Sequence, residues 1–358
     1  MSPTAPQPRG RGARSNATGR YEAQTREAFD DDWTCDDEAP PPLRTEVSVE
    51  RARRIISHND SPDVGFSASI NPYRGCEHGC IYCYARPSHA YMGLSPGLDF
   101  ESRIFVKPEA AHLLEKELSK PSYRPEPIHI GGNTDPYQPQ ERTRRITRGL
   151  LEVLVRFRHP FSVITKSALV VRDLDLLSEA AALNLARVAV SLTTLDRRLA
   201  RSMEPRAATP AKRLDAITRL ATAGVPVTVM FAPAIPGLND HEMEAVLERA
   251  AAAGASGAGY VLLRLPLEIK DLFREWLETD QPDRARRVMS LVRQMRGGKD
   301  YDMAWGRRMR GEGPIADLLS ARFKAARRRC GLDRGWPPAD LSRFRVPLQA
   351  GGQLDLFG

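Results

Sequence analysis

An α/β fold built on a parallel sheet is what this 358-residue chain predicts, and two observations predict it. Short apolar runs rich in Val and Ile begin about 25 to 40 residues apart, the length of one strand–helix unit. Amphipathic helical stretches fill the intervals, and such alternation requires parallel strands. Six units are visible, with strands predicted at 66–71, 127–131, 161–165, 187–193, 225–231 and 259–265. Their apolar character is that of strands covered on both faces. Six units fit an incomplete barrel and an open doubly wound sheet equally well.

Taken in order, residues 1 to 45 predict an unstructured segment. Pro, Gly, Arg and Ser dominate its start, and an acidic run (Asp30, Asp31, Asp32, Asp36, Asp37, Glu38) leads into Pro40, Pro41 and Pro42. Little there can be buried to offset the entropy of ordering. The strand–helix array is expected over 46–275. Within it Thr209 predicts a helix cap with Pro210 in the first turn, and Leu214, Ile217 and Ala221 share a face. Asn239, with Glu242 three residues on, predicts a second cap; Met243, Val246, Leu247 and Ala250 form the stripe that follows. Gly224 and Gly254 stand where helices should stop. Beyond residue 265 the pattern changes: 268–277, 283–295 and 314–329 read as helices around a Gly/Arg-rich passage at 296–313. Residues 276–345 therefore form a basic, mainly helical C-terminal extension, and 346–358 a flexible tail.

Composition excludes several classes. With 41% apolar and 27% charged residues the chain can bury a core. No run approaches the ~18 apolar residues of a membrane span, and the first residues lack the apolar core of a secretory signal. Net charge is +8, from 53 basic and 45 acidic side chains, and its placement is uneven. Residues 281 to 345 hold 17 Lys/Arg against 7 Asp/Glu, more than the excess of the whole chain. A localised basic surface points to a polyanion, nucleic acid first.

Five cysteines (Cys35, Cys76, Cys80, Cys83, Cys330) are too few for a disulfide scaffold, and three of them crowd into eight residues. In a reducing cytoplasm that crowding points to a metal or cluster. The spacing is C-x3-C-x2-C, directly after the first predicted strand. Thiolates select zinc, Cu(I) or iron–sulfur clusters. A closed zinc site needs four ligands, which His78 or His89 could complete. Alternatively, three thiolates on a four-iron cube leave one iron open to an exogenous ligand.

Cys76-x3-Cys80-x-Tyr82-Cys83 resembles the cluster motif of radical S-adenosylmethionine enzymes, and the resemblance spans roughly residues 64–275. Within that superfamily the chain looks like the spore photoproduct lyase-like group. It resembles in particular a bacterial subgroup carrying NPYRGCEHGCIYCYARP, GGNTDPYQP, EPRAATP and a GGK stretch, all present here. The resemblance implies a partial (β/α)6 TIM-like barrel and a [4Fe–4S] cluster on Cys76, Cys80 and Cys83. S-adenosylmethionine would bind the open iron and yield a 5′-deoxyadenosyl radical that takes a hydrogen atom from the substrate. It further implies that Tyr82 contacts the adenine and that Gly131, Gly132, Asn133 and Thr134 form the methionine-binding turn. Asn133 stands where the family has an acidic residue, which leaves Thr134 or Asp135 for the amino group. Ser191 and Thr193 fall at the ribose, Ile235 in the adenine-side motif at 234–239, and Lys166 at the cofactor carboxylate. All sit at C-terminal strand ends, where barrel function gathers.

The likeness to the lyase has a limit. That enzyme uses a cysteine hydrogen donor, and no cysteine lies between Cys83 and Cys330. Cys330 follows Arg327, Arg328 and Arg329, which should lower its pKa; Cys35, among carboxylates, reads as inert. Tyr137 and Tyr260 read as structural rather than radical carriers, His129 as a strand residue and His159 as a turn residue. The tail residues Gln353, Leu354, Asp355, Leu356 and Phe357 resemble the peptide that docks bacterial repair proteins on the DNA sliding clamp, with Gly351 and Gly352 giving reach. The expectation is a cytoplasmic radical S-adenosylmethionine enzyme acting on DNA in lesion repair or nucleotide modification, with a reductant such as flavodoxin or ferredoxin. Its alternatives are the same chemistry on a protein or RNA, and a non-catalytic metal-binding adaptor of the clamp.

Overall fold

The computed structural model describes residues 10–26, 43–335 and 337–347. Its strands are β1 (Glu46–Val49), β2 (Ile56–His58), β3 (Ala68–Ile70), β4 (Tyr73–Arg74), β5 (Arg103–Val106), β6 (Ile128–Ile130), β7 (Phe161–Thr165), β8 (Ala186–Ser191), β9 (Val227–Ala234) and β10 (Gly257–Leu262). The helices are α1 (Leu98–Ser102), α2 (Ala110–Leu118), α3 (Glu141–Arg144), α4 (Ile146–Arg156), α5 (Leu174–Ala182), α6 (Arg197–Met203), α7 (Pro210–Thr222), α8 (Met243–Ala252), α9 (Ile269–Asp280), α10 (Pro282–Gln294) and α11 (Pro314–Arg329). The main sheet runs β10-β9-β8-β7-β6-β3-β2. Its six strands from β3 to β10 pair in parallel, and β2 adds antiparallel to β3. That order never reverses, whereas a doubly wound sheet reverses at its switch point. The fold is a partial (β/α)6 barrel, open between β10 and β2. A small sheet, β1-β5-β4, lies beside it.

Each predicted strand is present, but the strands are not covered on both faces. β7 reads buried and half-buried in alternation, as do β6 and most of β9. The buried set (Ile128, Ile130, Val163, Val188, Val190, Val227, Val229) joins the helices in the main core. The half-buried set (His129, Ile164, Met230) faces the concave side and lines a cavity. Period-2 alternation puts one face to each side, so the apolar residues of the second face line a pocket.

Helix α7 starts as read, with Thr209 Oγ1 accepting from Lys212 N and Pro210 in the first turn. Its buried face, however, is Arg213, Ala216, Ile217 and Leu220. Asn239 is not a side-chain cap. Its Oδ1 accepts from Ile235 N at 2.7 Å and its Nδ2 donates to Thr193 and Pro233 carbonyls, which ties the loop after β9 to the end of β8. Glu242 instead accepts from Thr194 Oγ1 and Leu195 N.

The expected domain limits also change. Residues 10–26 pack onto the barrel: Arg11 is 4% exposed and Ala13 is fully buried. Gly12 N and Ala13 N donate to Glu101 at 2.9 and 2.8 Å, and Arg14 pairs with Asp280. A Cβ on Gly12 would fall 1.8 Å from Gly79 O, so only glycine permits this approach. The limit at residue 275 falls inside α9. Helices α9 and α10 share a core with Cys80, Ile81 and Tyr82, and α11 joins the main core through Ala316, Leu319, Phe323 and Ala326. The C-terminal helices are thus part of the barrel's packing. No helix of the described residues is long and apolar enough to cross a membrane.

Arg86 and Glu101, both fully buried, form an ion pair under the cysteine loop. Arg86→Ala leaves the Glu101 carboxylate without its guanidinium and should lower the unfolding free energy by about 3–5 kcal/mol in urea titration; a loss below about 1 kcal/mol would mean the pair is dispensable.

Candidate active site at the open barrel mouth

A cavity of about 500 Å³ opens at the C-terminal strand ends, the usual location of function in this architecture. Cys76, Cys80, Tyr82, Cys83, Gly131, Gly132, Asn133, Thr134, Asp135, Lys166 and Ser191 all line it. Thr193 and Ile235, also predicted, are fully buried and do not reach its wall.

The cysteine loop is held mostly by backbone contacts. Cys76 N donates to Phe100 O at 2.9 Å, and Ile81 N to Met203 O at 3.0 Å. Arg86 donates to the carbonyls of Cys80, Gly79, Pro96 and Gly97 and to Glu101, so its fork fixes the loop from behind. The three thiols are unpaired by any disulfide. Burial pushes the Cys76 thiol well above its ordinary value, with Asp135 adding to the rise. Burial likewise raises Cys80 to about 12. Thiolates at that depth need positive charge beside them, which the iron of a cluster supplies. Three soft donors on one cavity wall fit an iron–sulfur cluster with one iron left open. Among the described residues no three His, Cys, Asp or Glu converge on a single ion. His78 Nδ1 lies 3.2 Å from Asp135 Oδ2, close enough for ion pairing but out of line for a hydrogen bond. His89 Nε2 lies 2.9 Å from Arg103 O, and burial holds its pKa down to about 4. Neither histidine completes a four-ligand zinc set.

The turn after β6 is built around glycine and Asn71. Gly131 has φ +98, and a Cβ there would meet Ile164 O at 2.7 Å. Asn71 Oδ1 accepts from Asn133 N at 2.8 Å and Thr134 N at 3.3 Å, while Thr134 Oγ1 donates to Tyr73 O. Asn71, the first residue of the NPYRG run, is thus a positioning residue missed as such in the sequence. Asp135 accepts from Thr165 Oγ1 and Lys166 N, each at 2.7 Å, and from Tyr137 N at 2.9 Å. Burial alone would raise its pKa, but His78 and these donors bring it to about 2. Asp135 therefore joins the turn to β7, with both oxygens engaged by the protein.

Beneath the floor lies a polar network that pattern reading did not assign. Glu204 accepts from Tyr82 Oη, from Arg213, and from Thr193 Oγ1 at 2.7 Å. Arg213 also donates to Ser191 O at 3.0 Å and Ala208 O at 2.8 Å. Burial would raise the Glu204 pKa; Arg213 and Lys166 outweigh it and hold it at about 2. Lys166 Nζ sits 5.7 Å from the Tyr82 ring centroid. Burial would lower its pKa, but the neighbouring Cys80 and Glu204 outweigh burial and raise it, so it stays charged. Thr193 thus acts through Tyr82 and Glu204. The sequence pointed to Tyr82, Thr193, Ser191 and Lys166 as cofactor contacts; of the Glu204–Arg213 pair that joins them, the only trace was that Glu204 opens the EPRAATP run.

The outer wall carries Phe66, Tyr84, Arg264, Arg308 and Met309. Phe66 stacks on His129 with centroids 4.3 Å apart. Tyr137 is buried and donates to Asp173, and Tyr260 packs on Phe323. His159 is buried and shares a hydrogen bond with Tyr123. Cys330 departs from expectation: burial and Glu248 raise its pKa, and Arg329 only partly offsets them. It does not line the cavity. Cys35 and the tail residues 353–357 lie outside the described residues.

Glu204 titrates near 4.5 when unfolded and near 2 when folded. Its contribution is therefore complete above pH 4.5 and lost as pH falls toward 2. Glu204→Gln should flatten stability across that window and cost about 3–5 kcal/mol at neutral pH, because Arg213 stays buried and uncompensated. Urea melts at pH 2.5, 4.5 and 7 measure both; an unchanged acid slope would show that Glu204 is not held ionised.

The radical SAM superfamily model matches residues 70–250, half of the chain. An uncharacterized protein of Mycobacterium bovis is 40% identical over 230 residues, covering 64% of this chain and 68% of that protein. An uncharacterized protein of Methanocaldococcus jannaschii is 28% identical over 199 residues, covering 56% and 71%. Spore photoproduct lyase complexed with dinucleoside spore photoproduct has a similar fold, with a TM-score of 0.55 at 16% identity over 79% of this chain and 78% of that one. With its cysteine loop, its glycine turn and its parallel half-barrel, the chain belongs to the radical SAM superfamily, enzymes whose cofactors are a [4Fe–4S] cluster and S-adenosylmethionine.

Proposed function

We propose that this enzyme acts on DNA, in lesion repair or nucleotide modification. The observation that carries the reading is the basic passage 296–313, which contributes Arg308 and Met309 to the cavity wall. Part of the charge of the C-terminal extension is neutralised internally: Arg293 pairs with Asp300, Arg322 with Glu244 and Arg329 with Glu248. Arg286, Arg287, Lys299, Arg310, Lys324 and Arg328 are exposed and make no ion pair among the described residues. Exposed, uncompensated lysines and arginines on one extension favour a phosphate backbone. The lyase of similar fold is complexed with a dinucleoside spore photoproduct, which supports the same substrate class.

Cys76, Cys80 and Cys83 hold the cluster in this reading. The turn 131–134, Ser191 and the Tyr82 ring hold S-adenosylmethionine, with Lys166 as the cation for its carboxylate. Bound together there, cluster and cofactor would supply radical chemistry that removes a hydrogen atom from the substrate. The chain's own part is to fix these groups on a rigid floor and to wall off water with Ile164, Met230 and Val261. A low-potential carrier such as flavodoxin or ferredoxin is the reductant.

Anaerobic reconstitution should give a brown protein that forms 5′-deoxyadenosine under reductant, and the triple Cys76/Cys80/Cys83→Ala variant should lose both colour and product. A colourless zinc protein would instead favour the adaptor alternative. Oligonucleotide affinity should fall at least about tenfold from 50 to 200 mM salt; absence of binding at low salt removes DNA as the substrate and leaves protein or RNA. Deleting residues 353–357 should abolish capture of the purified sliding clamp without changing oligonucleotide affinity. Equal capture by the truncated chain would end the docking assignment.

A further inference from the structure

Two arginines stand on the outer cavity wall, and only one is neutralised. Arg308 pairs with Asp63 and donates to Ser61, and Gly306 N donates to Asp63 at 2.7 Å. Arg264, two residues past the end of β10, has no carboxylate partner among the described residues. Its Nε is buried without a hydrogen-bond partner. Its terminal nitrogens reach only Met309 Sδ, a weak acceptor, and Tyr301 Oη, each at 3.5 Å, the latter at the outer limit for a hydrogen bond to oxygen. Its Cζ lies 5.0 Å from the Tyr84 ring centroid. That contact orients the guanidinium plane but does not satisfy its donors.

A guanidinium carries five N–H donors in a planar fork, and leaving them unmade in a recess is costly. The fork matches the two oxygens of an anion such as a phosphate. Lys166 stands three strands away, just past the end of β7 and beside the glycine turn, so Arg264 serves a different part of the cavity. On the β3–β6 side the stacked Phe66 and His129 rings offer a flat surface suited to a base.

We propose that Arg264 binds a phosphodiester group of the nucleic-acid strand whose nucleotide enters the cavity, gripping two oxygens at once. This rests on the DNA reading above. The test is fluorescence anisotropy of a labelled single-stranded oligonucleotide against salt, with wild type, Arg264→Gln and Arg264→Lys, all reconstituted anaerobically. Arg264→Gln should weaken binding about tenfold at low salt and reduce the slope of log affinity against log salt by about 0.7. Arg264→Lys should keep the slope, because the charge remains, but lose part of the affinity with the fork. S-adenosylmethionine binding by equilibrium dialysis should be unchanged in both. A wild type that binds no oligonucleotide overturns the DNA reading itself. A wild type that binds, with Arg264→Gln matching its affinity and slope, overturns only the assignment of Arg264. Loss of S-adenosylmethionine binding at an unchanged oligonucleotide slope also overturns it and gives Arg264 to the cofactor.

Discussion

The cysteine loop has almost no regular structure of its own, so its buried carbonyls must find donors elsewhere. Arg86 supplies them. Its guanidinium, fully buried, reaches the loop carbonyls of Gly79 and Cys80, those of Pro96 and Gly97 before α1, and Glu101. Glu101 in turn accepts from Gly12 N and Ala13 N, so the N-terminal strap closes over the same pair. Charge and hydrogen bonding are satisfied together, which is what makes a buried ion pair tolerable. This fork anchors the middle of the loop, and backbone bonds from Cys76 N and Ile81 N anchor it on either side. The cavity wall the three thiols share with Gly131 and Asn133 follows from the Asn71 side chain at the loop's entrance.

A second buried pair does the equivalent work under the floor. Glu204 and Arg213 sit between the ends of β8 and the cysteine loop, and Tyr82 and Thr193 converge on the same carboxylate. Removing any partner exposes another to an unmatched charge or donor, so the group behaves as a unit. This gives Thr193 a place in the site without contact with the cavity. It also keeps Lys166 cationic next to Cys80 despite burial. The floor is therefore rigid for electrostatic reasons as much as for packing.

The parallel strands and the helices α7, α8, α10 and α11 were legible because each has strong periodicity or a capping signal. The thiol triplet was legible because its spacing is local. What escaped was determined by contacts distant in sequence. The strap at 10–26 looked unable to fold because its burial depends on Glu101, about ninety residues away. Asn239 looked like a cap because Asn followed by Glu three residues later is a capping pattern, yet its side chain is taken by three backbone groups, of Thr193 after β8, Pro233 in β9 and Ile235 just past it. Cys330 looked activated by three arginines; burial and Glu248 outweigh Arg329. The covered-on-both-faces reading failed for a related reason. A strand lining an apolar pocket and a strand buried twice carry the same residue types.

The two walls of the cavity differ in how their charges are settled. On the inner side the two buried carboxylates have partners, Asp135 in the Thr165 hydroxyl and the Lys166 amide and Glu204 in Arg213, while the Lys166 ammonium has no carboxylate within ion-pair distance among the described residues. Such a surface is preorganised, with one cation placed for the cofactor carboxylate. On the outer side Asp63 settles Arg308 and leaves Arg264 with only weak contacts. An unpaired guanidinium in a recess is a cost to the free protein that folding alone does not require, since an apolar residue of similar size would pack there without it. The asymmetry is intelligible if the inner wall holds what stays through the reaction and the outer wall receives what comes and goes. An anion arriving from solvent would then complete the set of charges, and the energy left unmet in the empty pocket becomes binding energy for the substrate.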